Sequence, residues 1–69
     1  MKFTKKQSGH NAEWKAVTEN GTFFISKYTS PYLGIVSYEV TVTFEDGGMK
    51  YLGERLQYLR DAKALAEAF

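Results

Sequence analysis

YLGERLQYLRDAKALAEAF, residues Tyr51 to Phe69, is the stretch whose reading decides the fold. Tyr51, Leu52 and Gly53 end a strand. From about Tyr58 the apolar side chains recur as Leu59, Ala62, Leu65, Ala66 and Phe69. Steps of three and four residues put them on one face of a helix, with Gln57, Arg60, Lys63 and Glu67 on the other. A lone helix of about twelve residues is marginal in water, so its apolar face must lie on another surface. The chain before it reads as the sheet that supplies this surface. Gly53 to Leu56 reads as the joint between strand and helix, and no Ser, Thr, Asn or Asp stands shortly before Leu59 to cap the first turn.

The clearest strand is Ile35 to Glu45. Val36, Tyr38, Val40, Val42 and Phe44 alternate with Ser37, Glu39, Thr41, Thr43 and Glu45, a period of two in which the first set faces inward. Asp46-Gly47-Gly48 turns the chain into Met49 to Glu54. A two-residue loop at either Asp46-Gly47 or Gly47-Gly48 places Met49 and Tyr51 inside and leaves Lys50 and Leu52 outside.

Upstream, Glu13 to Glu19 and Thr22 to Thr29 flank Asn20-Gly21, a strong hairpin signal because a type I′ turn needs positive φ at both central residues. That turn pairs Glu19 with Thr22, Ala16 with Ile25 and Trp14 with Lys27. Trp14, Ala16, Phe23 and Ile25 share one face; Lys15, Val17, Phe24, Ser26 and Tyr28 share the other. Pro31 keeps a central strand from running through Ser30 to Gly34. Tyr32 and Leu33 in that turn either tuck under the sheet edge or protrude as a contact knob. Residues 1–12 are polar apart from Met1, Phe3 and Ala12 and read as a flexible N-terminal arm, with 13–69 as the single folded domain. His10 reads as an exposed loop residue.

The expected class is therefore α+β: an antiparallel β-meander of three to four strands with one C-terminal α-helix packed on one face. Sixty-nine residues hold one small core, with roughly 60% of the unfolded surface buried. The chain has no cysteine, so neither disulfides nor thiolate metal sites can staple it. Five Phe, five Tyr and one Trp must supply the packing instead. No run approaches the ~20 apolar residues of a membrane span. A cytoplasmic, soluble protein without a membrane partner is the expectation.

Catalytic signatures are lacking. There is no Gly-x-Ser-x-Gly elbow, and Gly47-Gly48 is not followed by the Lys-Ser/Thr of a phosphate loop. The adjacent Glu45 and Asp46 do not face each other across a cleft. A chain this short also has little depth for a substrate pocket. No enzyme activity, cofactor or metal is expected.

Strands followed by Tyr51-Leu52-Gly53, then Leu59, Ala62, Lys63, Leu65, Ala66 and Glu67, with Trp14-Lys15-Ala16 opening the sheet, form a pattern that resembles small sheet-plus-helix proteins of phages and prophages. The pattern is also loosely similar to plant ethylene-response-factor and phage-integrase arm-binding domains. The first resemblance implies a protein-binding domain, in some cases an inhibitor of a host protein. The second implies an accessory DNA-binding domain whose three-stranded sheet enters the major groove while the helix backs it. Such sheets carry several arginines on the exposed face. Here that face offers Lys15, Lys50 and, as a further candidate, Lys27, beside Glu13, Glu39 and Glu45; Arg55 and Arg60 lie in the joint and on the helix.

A net charge of +1, from nine basic and eight acidic residues, is low for a duplex binder. Nucleic acid is therefore the alternative partner, through Lys15, Lys27, Lys50 and the arm residues Lys5 and Lys6. The leading expectation is a protein partner, from a host or a second copy in a homodimer. Its docking face would be Val17, Phe24, Tyr28 and Leu52, rimmed by Lys15, with Tyr32 and Leu33 nearby. An exposed apolar group of that size is the ordinary mark of an interface.

Overall fold

β-Branched and aromatic residues in strict alternation make the middle of the chain a sheet, and the sheet grows outward from there to both sides. The computed structural model describes residues 1–9 and 11–69; the reading of His10 lies outside them. The elements are β1 (Thr4–Ser8), β2 (Asn11–Thr18), β3 (Gly21–Thr29), β4 (Val36–Thr43), β5 (Met49–Leu56) and α1 (Leu59–Ala68). All neighbouring strands pair antiparallel in the order β1-β2-β3-β4-β5. The α+β meander with one C-terminal helix on it is thus observed.

The strand count is corrected from three or four to five. Residues expected as an arm supply β1 and the first two residues of β2. Thr4 to Ser8 carry no apolar side chain to signal a strand. They are held by backbone pairing with β2, from Thr4 opposite Lys15 to Ser8 opposite Asn11. Phe3, just before them, packs against the core.

Parity in the central strands follows the alternation. Trp14, Ala16, Phe23, Ile25, Val40 and Val42 are buried together on one side, with Phe23 opposite Val42 and Ile25 opposite Val40. The β2–β3 turn lies one residue earlier than expected, which shifts the pairing by two residues. Thr18 opposes Gly21 and Ala16 opposes Phe23, so the loop is Glu19-Asn20, and a shift of two leaves every side chain on its expected face. The Thr18 hydroxyl accepts the Asn20 N–H (3.2 Å) and donates to the Gly21 carbonyl (2.9 Å). Gly21, at φ 142°, lies where a Cβ would meet the Thr43 carbonyl oxygen at 2.9 Å.

In β5 the expected facing is inverted. The β4–β5 loop is five residues, Phe44 to Gly48: Phe44 N–H donates to the Gly48 carbonyl (2.7 Å) and Gly47 N–H to the Phe44 carbonyl (3.0 Å). Asp46 Oδ1 accepts the Gly48 N–H at 2.9 Å, and Gly47 takes φ 93°. Thr43 then opposes Met49, Val42 opposes Lys50 and Thr41 opposes Tyr51. An odd-length loop slips the register by one, which exchanges the two faces. Met49 and Tyr51, expected inside, are 56% and 59% exposed. Lys50, expected outside, reaches over the Phe69 ring on the helix side (5.7 Å), and Leu52 packs against the core.

Two register shifts follow, between Thr41 and Val40 and between Val40 and Tyr38; each gives β5 one extra residue. They carry β5 through the expected joint to Leu56, which opposes Tyr38. Arg55 takes a positive φ of 57° within this stretch, a region few non-glycine residues visit.

The chain then turns into α1. Its N-cap is Tyr58, which makes no side-chain capping bond, and Asp61 in the first turn complements the helix dipole. The helix lies against β3, β4 and β5. It meets them through its small residues: Ala62 and Ala66 are buried, and Gly53 gives Leu65 room, since a Cβ there would stand 2.6 Å from Leu65 Cδ1. Phe69 meets Phe23 edge-on (5.8 Å) and Phe44 at a tilt (6.0 Å). Trp14 lies beyond the helix, flanked by Tyr38 at 6.1 Å and by Lys5 Nζ at 5.4 Å.

Ile25→Ala should cost about 2–5 kcal/mol in denaturant unfolding, as a fully buried side chain is lost. Ala62→Leu should cost about 1–3 kcal/mol by forcing helix and sheet apart. Leu65→Ala and Phe69→Ala, at residues 37% and 46% exposed, should each cost less than Ile25→Ala.

Candidate functional site

Among the described residues, one side of the sheet carries no helix. Cross-strand registers arrange its side chains in rows. Thr4, Lys15, Phe24, Thr41 and Tyr51 form one row across all five strands. Val17, Thr22, Thr43 and Met49 form the next. On the other flank, Lys6, Glu13, Ser26 and Glu39 form a charged row. With strands about 4.8 Å apart, Phe24 and Tyr51 stand on either side of Thr41, roughly 10 Å from each other. Val17 is diagonal to Phe24, and Met49 is two residues from Tyr51 on the same face.

Exposure is high for this chemistry: Val17 is 74%, Tyr28 58% and Tyr51 59% exposed. Phe24 is half-buried, with Lys15 Nζ 5.9 Å from its ring centroid. An open depression of about 520 Å³ lies beside the charged row, lined among others by Lys6, Glu13, Ser26, Tyr28 and Glu39.

Of the residues expected to bind protein, Val17, Phe24, Tyr28 and Lys15 lie together on this face. Leu52 is a correction: the β5 slip takes it to the helix side, where it packs against the core. Tyr51 and Met49 stand in its place. Their signal was the loop chemistry: Asp46 binding the Gly48 N–H and a glycine at positive φ make a longer turn than two residues. Tyr32 and Leu33 protrude, 93% and 74% exposed, from the tip between β3 and β4. That tip is held by Ser30 N–H to the Ile35 carbonyl (2.8 Å), Gly34 N–H to the Ser30 carbonyl (3.0 Å) and Leu33 N–H to Ser30 Oγ (3.3 Å).

The five lysines considered for nucleic acid divide between the faces. Lys6 and Lys15 share the open side with Glu13. Lys5 lies over Trp14 and Lys50 over Phe69 on the helix side. Lys27, expected as a further open-face candidate, opposes Ala12 and Tyr38 on the helix side and is half-buried. No group of three or more His, Asp or Glu able to hold a metal ion occurs among the described residues. No helix among them is long and apolar enough to cross a membrane.

Comparison with protein-family models, with curated protein sequences and with solved structures gives no match to this chain.

Substitution on the open face should be nearly neutral for folding. A Tyr28→Ser, Tyr51→Ser double change should alter unfolding stability by about 1 kcal/mol or less, as for surface positions without partners. A loss of several kcal/mol in the same denaturant titration would mean that this face is covered.

Proposed function

We propose that the chain is a non-enzymatic protein-binding domain that docks through the open face of its sheet. The observation that supports this most is the uncovered group Val17, Phe24, Met49 and Tyr51, with Tyr28 leading toward the protruding Tyr32 and Leu33. Aromatic side chains carry most of the energy in protein interfaces, and they do so where a rim of polar residues excludes water. Here Lys15 and Glu39 stand at the rim with opposite charges, and Thr22, Thr41 and Thr43 lie between the apolar members of the group. The resemblance to small phage and prophage sheet-plus-helix proteins supports a host protein as the partner and inhibition as the outcome of binding.

The DNA-binding reading asks for a basic stripe. Lys5, Lys27 and Lys50 stand on the helix side, and Lys6 and Lys15 share the open side with Glu13 and Glu39. This division supports protein over duplex.

Affinity capture from host extract should yield a partner that is lost with Phe24→Ala, Tyr51→Ala and kept with Arg60→Gln, Glu67→Gln on the exposed helix side. Direct titration of the purified pair should show the same contrast, with loss of about a hundredfold or more in affinity for two truncated anchor residues. Equal binding by both double variants would overturn the reading. So would tight binding to duplex DNA that weakens about 10³-fold or more between 50 and 200 mM salt, the mark of several phosphate contacts.

A further inference from the structure

The two free edges of the sheet are not alike. β5 is broken by two register shifts, carries Arg55 at positive φ and runs beside the helix, so a further strand would find no regular ladder there. β1 is regular over its whole length and, among the described residues, pairs with β2 alone. Its outward backbone groups are a ready-made template for a sixth strand.

The side chains of that edge determine which strand fits. Lys5 and Lys6 lie in β1 on opposite faces, Lys2 precedes them, and β1 itself holds no acidic residue. Two β1 edges laid together would oppose these lysines to one another, and like charges directly across a pair are destabilising. The same charges favour a strand that carries carboxylates on both faces. We propose that β1 accepts an extended acidic segment of a partner protein by strand addition. Backbone pairing supplies the alignment and the lysines select the sequence. This site borders the open face, with which it shares Thr4 and Lys6, but it does not use Phe24 or Tyr51.

The test uses the full chain, isotope-labelled, titrated in an NMR experiment with a short synthetic peptide that repeats Glu-Val-Thr, so that successive Glu side chains fall on opposite faces of the strand. Shifts confined to β1 and its junction with β2, with new exchange protection at the outward β1 amides, are expected. The same peptide N-methylated on the amides that would face β1, and a peptide with Lys in place of Glu, should not bind. Lys2→Gln, Lys6→Gln should weaken binding on the order of tenfold while leaving the spectrum folded, because the Lys5 contact with Trp14 is kept. Binding of the N-methylated peptide as well as its parent would overturn the proposal in favour of charge attraction alone. Shifts centred on Phe24 and Tyr51, or no binding at millimolar peptide, would also overturn it. Failure here would leave the open-face reading standing, since the Phe24→Ala, Tyr51→Ala capture does not involve this edge.

Discussion

The closeness of the helix to the sheet governs the rest of the molecule. Ala62 and Ala66 touch the core with single methyl groups, and Gly53 opens room for Leu65. Small residues at the contact bring the helix axis down onto Ile25, Val40 and Val42, the side chains that are wholly removed from water. The chain has no cysteine, and α1 is the one helix among the described residues, so this contact does most to close the core. Bulkier residues at those positions would lift the helix and open the core to water.

A ten-residue helix is about 15 Å long, enough to roof β3, β4 and β5 on one side and nothing more. Two consequences follow from that shortness. Trp14 on β2 is flanked by Tyr38 and Lys5, while the helix lies against β3, β4 and β5. Among the described residues no element covers the opposite side of the sheet, so the odd-numbered positions of β2 and the even-numbered positions of β3 face outward whatever their polarity, with Thr22 and Phe24 half-buried. Val17, Phe24 and Tyr28 are placed there by strand parity, and Tyr51 joins them through the register of β5.

Much of this was legible in the sequence, and the failures have identifiable physical causes. The inward set of β2, β3 and β4 was readable because alternation there is unbroken, and an error of two residues at Glu19-Asn20 cannot change a face. The helix was readable from Leu59 to Phe69 by its spacing, although Leu65 and Phe69 are more exposed than a core face suggests. β1 was not readable, because a lysine-rich edge strand owes its conformation to the neighbour it pairs with. β5 was misread because a loop of odd length reverses parity, and nothing in Met49 to Glu54 alternates strongly enough to resist that. Leu52 and Tyr51 therefore exchanged places in the candidate site, while Val17, Phe24, Tyr28 and Lys15 kept theirs.

Methyl-resolved nuclear Overhauser measurements on the intact chain report which side of the sheet the helix covers. Contacts from the Ala62 and Ala66 methyls to Ile25, Val40 and Val42 are expected, together with contacts between Leu52 and the helix. Contacts from the same alanine methyls to Phe24, Thr41 or Tyr51 would contradict this packing, because the helix would then cover the face described here as open.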